Sequence, residues 1–255
     1  MSQKTTKTTT STRTGSAAPA ADPALVQCVG VGRTYGQGRA AVVALHDATC
    51  AVLPGQQVAL VGPSGSGKST LLHLLAGLDE PSTGTVSWPA LGTRESLRPG
   101  PVGVVFQGPS LLPPLDVIEN VALPLLLADV DRAIATERAR AALARLGLDD
   151  LGAKLPEELS GGQAQRVAVA RVLAGDPRLI LADEPTGQLD QVAGAQVIDV
   201  LIEAAVATGT ALVVSTHDQE LALRLTEHWQ MSDGRLRVHS AKYTSDPMKE
   251  TSCSA

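Results

Sequence analysis

Aromatic side chains are nearly missing from this sequence: one phenylalanine, two tyrosines and two tryptophans among 255 residues. So few rings give single-stranded nucleic acid no row of stacking platforms. A net charge of −5 likewise argues against a broad basic footprint for nucleic acid. Cysteine is scarce too. Cys28, Cys50 and Cys253 are odd in number and widely spaced, which suits a reducing compartment and neither a disulfide framework nor a zinc site. Two of them read as quiet strand residues and the third as part of a tail. No apolar run approaches the roughly 20 residues that span a bilayer. The longest, residues 121–128, is short and contains Pro124. Lys4 and Lys7 are not followed by an apolar stretch, so the start does not read as a secretory signal. The single asparagine, Asn120, is not followed by Lys-x-Asp, so a guanine-reading motif is missing.

What is present is ample material for a core, with 44% apolar residues. Residues 1–23 are rich in Ser, Thr, Lys and Ala and read as a disordered tail, as does 240–255. The ordered domain is expected over 24–239. Residues 25–33 and 42–53 read as strands joined by a turn at Gly36–Gly38. Short apolar strands follow at 58–61, 102–106, 179–182 and 211–214. A helix over 70–76 should stop at Gly77, another spans 131–146 before Gly147, and a third covers 192–207. Residues 111–174 are helical in character. This is the pattern of an α/β protein with a parallel sheet, an antiparallel β-subdomain at the start and an inserted α-helical subdomain.

The strongest motif is Gly62-Pro63-Ser64-Gly65-Ser66-Gly67-Lys68-Ser69, which fits G-x-x-x-x-G-K-[ST] with a strand before it and a helix, beginning at Thr70, after it. Glycines let the backbone curl around phosphate. Successive N–H groups and the helix N-terminus then form an anion nest. Lys68 is expected at the β- and γ-phosphates of a nucleoside triphosphate and Ser69 on Mg²⁺.

Residues 178–184 form a buried strand ending in two carboxylates. Beside a phosphate loop, Asp183 is the expected Mg²⁺ ligand and Glu184 the group that orients or deprotonates the attacking water. Ser160 and Gln163 have capping-box spacing. Gly161 and Gly162 between them clear side chains from that helix end and expose a second anion-binding N-terminus. Two such ends suggest one nucleotide held between two subunits.

Leu159-Ser160-Gly161-Gly162-Gln163 resembles the signature of ATP-binding-cassette ATPases, and the ordered chain resembles that family in the order and spacing of its motifs. The resemblance implies a P-loop NTPase core and further roles. Tyr35 would stack on adenine; Gln107, after the Val104-Val105-Phe106 strand, would join Mg²⁺ and the water. Asp190, with Leu189, would report across a dimer, and His217 would contact γ-phosphate. It also implies head-to-tail dimers with ATP sandwiched between one subunit's phosphate loop and the other's Ser160–Gln163.

The segment 111–121, with 62–78 and 123–125, is similar to the soluble ATPases of the lipoprotein-release and macrolide-export group. That implies a separately encoded transmembrane permease, a second and identical ATPase subunit, export, and a place on the cytoplasmic face of the membrane. Leu111, Leu112 and Leu115 would supply an apolar docking patch. The same resemblance leaves a mechanotransmission subunit as an alternative to a transporter, and two other classes stand beside it: a soluble cassette ATPase for translation or DNA maintenance, and a GTPase or kinase of another P-loop class. The transported molecule is not legible in the chain.

Overall fold

The computed structural model describes residues 23–187 and 189–239. The expectations for 1–22 and 240–255, Cys253 included, lie outside the described residues.

The first three strands to pair are β1 (Val26–Tyr35), β2 (Val42–Val52) and β4 (Thr83–Ser87), with β1 antiparallel to both others. The parallel core comprises β3 (Gln57–Val61), β5 (Val102–Val105), β6 (Leu179–Asp183), β7 (Ala211–Thr216) and β8 (Glu227–Ser232), in the order β8-β3-β7-β6-β5. β9 (Arg235–His239) returns antiparallel to β8 and meets β2 at His46 and Arg235, joining everything into one nine-stranded sheet. The expected α/β architecture with an antiparallel wing is therefore observed.

Residue choice explains the layering. Every residue of β6 and β7 is buried, as a parallel strand covered on both faces requires. Along β6, Leu179 and Leu181 pack into one apolar cluster while Ile180 and Ala182 pack into the other, which is the two-residue alternation of a pleated strand. One cluster is capped by α1 (Lys68–Leu75), whose Leu71, Leu72, Leu74 and Leu75 are buried. The chain leaves α1 at Gly77 with φ +66°, the expected stop.

The other cluster holds the helical subdomain. α2 (Val117–Leu127) starts at a capping box between Asp116 and Glu119 and tolerates Pro124 internally. α3 (Arg132–Arg145) is capped by Asp131, and Gly147 ends it at φ +63°. α4 (Gly161–Ala174) packs between them through Val167 and Ala170. α5 (Gln191–Thr208) is 18 residues long and by length and composition alone could cross a membrane. Its Val197, Ile198 and Leu201 are fully buried in the protein core, so it covers the sheet. α6 (Gln219–Ala222) follows β7.

Three strands were not expected. β4 is Thr-Gly-Thr-Val-Ser with four exposed positions, so it carries no apolar alternation. β8 and β9 form a hairpin on Asp233-Gly234, both at positive φ, the geometry of a type I′ turn. Trp229 and Met231 point from β8 into the core.

Candidate functional site

The loop from β3 to α1 is shaped by close backbone approaches. Gly67 has φ +102°, and a Cβ there would lie 2.4 Å from the carbonyl of Ala44. At Gly62 a Cβ would lie 2.2 Å from the carbonyl of Met231. Neither position has room for a side chain. The rim at Pro63, Ser64 and Gly65 is exposed, as is Ser69, whereas Ser66 and Lys68 are buried and Thr70 half-buried. Ser66 is held by the β8–β9 hairpin, its carbonyl accepting from Gly234 N at 3.0 Å.

Lys68 is only 4% exposed. Its ammonium donates to Gly62 O at 2.8 Å and Pro63 O at 3.1 Å and lies 3.3 Å from Glu184 Oε1. The other oxygen of Glu184 is 3.6 Å from His217 Nδ1. Thus the phosphate loop, the end of β6 and the end of β7 converge on one carboxylate. Glu184 has φ +42°, a conformation sparsely populated by non-glycine residues and typical of functional sites.

Asp183 is buried and sits opposite Ser215 in the β6–β7 register. The Ser215 hydroxyl donates to Asp183 Oδ1 at 2.6 Å and accepts from Glu184 N at 2.9 Å. One hydroxyl therefore fixes both carboxylate residues. Gln107 is exposed just past β5, with Nε2 3.6 Å from where a Cβ on Gly187 would stand. It therefore borders the loop that follows Glu184. Ser69, Gln107 and Asp183 offer hydroxyl, amide and carboxylate oxygens, a hard donor set that fits Mg²⁺.

Of the remaining expected residues, Asp190 lines one cavity together with Glu184 and His217. Ser160 and Gln163 form a complete capping box, Gln163 N donating to Ser160 Oγ at 3.3 Å and Ser160 N to Gln163 Oε1 at 2.9 Å. Gly161 is exposed and Gly162 half-buried, facing Leu189. Among the described residues, no hydrogen bond or ion pair joins this helix end to the phosphate loop. Asp190 caps α5, accepting from Ala193 N at 2.9 Å. Tyr35 closes β1 opposite Val42 and is 39% exposed.

Two residues at this site escaped the sequence reading. Ser215 stands two places before His217, and only the β6–β7 register reveals its task. Gln165 is 1% exposed and donates from Nε2 to Phe106 O at 3.0 Å. It ties α4 to the residue before Gln107. A polar side chain on the buried face of an otherwise apolar helix was its signal.

Comparison with known proteins bears on the family and the fold. The ABC transporter family pattern matches residues 45–187. The lipoprotein-releasing system ATP-binding protein LolD of Shewanella oneidensis is 42% identical over 221 residues, spanning 84% of this chain and 96% of that protein. A solved dimer of the ATP-binding cassette MJ0796 bound to ADP and Pi superposes with a TM-score of 0.79 at 33% identity, covering 86% of this chain and all of that one. The cbiO1 structure from Clostridium perfringens, part of the ABC transporter complex cbiONQ, gives a TM-score of 0.73 at 28% identity, covering 84% of this chain and 87% of that one.

Proposed function

The chain belongs to the ABC transporter family as one of its ATPases, and on that premise we propose that two copies close head to tail on ATP and drive a separately encoded permease of the lipoprotein-release kind. The observation that carries this reading is the convergence of Lys68, Glu184 and His217 at one end of the sheet, while the Ser160–Gln163 helix end, among the described residues, makes its side-chain hydrogen bonds only within its own capping box. The cage is half built within one chain. A second copy related by two-fold symmetry supplies the missing half to each site.

In this reading Gly62–Thr70 wraps the phosphates and Lys68 leaves its loop carbonyls for the β- and γ-phosphate oxygens. Glu184 takes the proton of the attacking water. His217 holds the γ-phosphate side, and Gln107 and Asp190 sense occupancy within and across the pair. Ser69, Gln107 and Asp183 would hold Mg²⁺, which neutralises phosphate charge. Loss of γ-phosphate contacts lets the copies part.

The permease contact is supported by a cleft of about 770 Å³ between β5 and α2, lined by Leu78, Phe106, Leu123 and Leu127, with Arg98 and Arg138 also on its wall. Leu127 is 66% exposed. An apolar cleft of this kind suits a partner's short helix. Arg171 on the cleft wall donates to Ser110 O at 2.9 Å, just before the expected Leu111–Leu115 patch, in which Leu112 is exposed but Leu111 packs into the subdomain core. Such docking places the chain on the cytoplasmic face of the membrane.

The test is copurification from detergent-solubilised membranes together with light scattering of the purified chain. Recovery of a multi-span protein, and a monomer-to-dimer shift with ATP, are expected. A permanent monomer with no membrane companion and no ATP cleavage ends the proposal.

A further inference from the structure

Tyr35 is not a free ring at a strand end. Its hydroxyl donates to Asp79 Oδ2 at 2.8 Å. Arg33, two residues earlier on the same strand, donates from Nε to the same oxygen at 2.9 Å and reaches Oδ1 at 2.7 Å. Its guanidinium carbon also stands 4.6 Å from the Tyr35 ring centroid. Glu80 N gives Asp79 Oδ1 a further donor at 2.8 Å. These four donors fill the acceptor capacity of one carboxylate. Despite some burial, which opposes it, the bonds from Tyr35 and Glu80 N and the charge of Arg33 hold the Asp79 carboxyl below its ordinary range. It therefore stays ionised at neutral pH.

The placement matters as much as the bonds. Tyr35 lies directly across from Val42 on β2, and Val42 is 63% exposed. Two residues further along β2, Ala44 touches the phosphate loop at Gly67. Two strand residues cover about 7 Å, and the neighbouring strand adds about 5 Å. The backbone at Tyr35 thus stands about one nucleoside's length from the phosphate cradle. Asp79 in turn follows directly from α1, its N–H donating to His73 O at 3.3 Å. The helix that opens at Lys68 therefore carries, at its far end, the carboxylate that fixes the ring.

We propose that Arg33 and Asp79 are positioning residues that lock Tyr35 as a preorganised platform for the nucleobase. This rests on the reading of Tyr35 as the adenine-stacking residue. Arg33 occupies one face of the ring, so the base stacks on the other. The cation withdraws electron density from the ring, which favours an electron-rich purine on the open face. A fixed ring spares the ordering cost that a free side chain incurs on binding.

The experiment compares ATP with inorganic tripolyphosphate, which has no base. KM and kcat are measured for ATP, and tripolyphosphate is titrated as a competitor. Asp79→Asn and Arg33→Gln are expected to raise the KM for ATP roughly three- to tenfold, with kcat within about twofold and tripolyphosphate affinity unchanged. Arg33→Lys keeps a cation over the ring and recovers part of the loss. Tyr35→Phe keeps the ring and loses only the bond to Asp79, so it falls between wild type and Tyr35→Ala. Equal weakening of ATP and tripolyphosphate overturns the proposal in favour of general support of the fold. A raised KM for Tyr35→Ala with wild-type behaviour of Asp79→Asn and Arg33→Gln leaves the platform standing and removes the brace. Wild-type KM for Tyr35→Ala removes the platform, and the brace with it.

Discussion

Lys68 and Glu184 face each other across the site, with the ammonium 3.3 Å from the carboxylate at Oε1. The pair links the glycine-rich loop before α1 to the end of β6, the two places to which the proposed function assigns phosphate binding and water activation. Both charges are largely shielded from solvent, at 4% and 19% exposure, so each strongly senses the other. Glu184→Gln keeps the shape and removes the charge and the proton acceptor. ATP hydrolysis should fall by about two to four orders of magnitude, while ATP binding persists and the nucleotide-bound dimer accumulates. Phosphate release and light scattering read the two effects separately. A mutant that turned over at the wild-type rate would contradict the assigned base.

Lys68→Ala tests the other half of the pair. The substitution removes the cation that the loop holds through Gly62 O and Pro63 O and leaves Glu184 beside His217. A charge-assisted contact to phosphate is worth more than a neutral one, so affinity for ATP should drop by at least about tenfold. Calorimetric titration reads this directly. Unchanged affinity would remove the phosphate-loop assignment.

Much of this site was legible because its signals are local. The phosphate loop, the two carboxylates after an apolar strand and the Ser160–Gln163 capping box each need only a few neighbouring residues to be recognised, and the capping box is present bond for bond. The parallel strands β6 and β7 announced themselves as unbroken apolar runs. Features set by distant pairing did not show. Ser215 acts on Asp183 only because β6 and β7 align at that register. Asp79 braces Tyr35 across 44 residues of sequence. β4 has no apolar face and exists because β1 offers it an edge. The β8–β9 hairpin is a different case, since Asp233-Gly234 after an alternating Trp229-Met231 stretch is a readable turn signal.

Asn120, the sole asparagine, has a structural task that its sequence context hides. It is fully buried, and its amide oxygen accepts from Leu112 N at 2.8 Å. Its amide nitrogen donates to Leu112 O, Leu115 O and Asp116 O at 3.1, 2.8 and 3.0 Å. One side chain thus pins the Pro113-Pro114 loop ahead of α2. Asn120→Ala takes this partner from Leu112 N and Leu115 O, while Leu112 O and Asp116 O keep the N–H groups of Leu115 and Asn120; each buried unsatisfied group costs about 1–3 kcal/mol. A loss of roughly 2–4 kcal/mol in urea unfolding is expected, with the loop's amides exchanging faster with deuterium. A loss below about 0.5 kcal/mol would show that water replaces the amide without penalty.

Ser215→Ala separates positioning from folding. The hydroxyl holds Asp183 and Glu184 N together, yet Glu184 N keeps a backbone acceptor in Ser215 O at 3.2 Å. Losing one bond from a buried carboxylate costs about 1–3 kcal/mol, small enough to leave the fold intact. Asp183 would then turn freely, and kcat should fall about tenfold or more with a raised Mg²⁺ requirement. Activity measured across a magnesium titration, with melting temperature as the control, decides it. Full activity at low magnesium would show that the β6–β7 register alone orients Asp183.

Cys28 and Cys50 face each other across β1 and β2, at 0% and 7% exposure. The bond to Cys28 and then burial push the Cys50 thiol far above its ordinary range. A raised thiol pKa means that the protonated form persists as pH rises, and the thiolate is the reactive species. Iodoacetamide should therefore leave Cys50 unmodified in the folded protein at pH 8, and still at pH 9.5, where an ordinary cysteine reacts faster; Cys28, with no exposed surface, is closed to the reagent by burial alone. Both should react once urea opens the sheet. Peptide mapping by mass spectrometry scores each cysteine, and Cys253, separately. Rapid labelling of Cys50 in the folded protein would mean that β1 and β2 part readily, and the wing that carries Tyr35 would then be a mobile element instead of a rigid support.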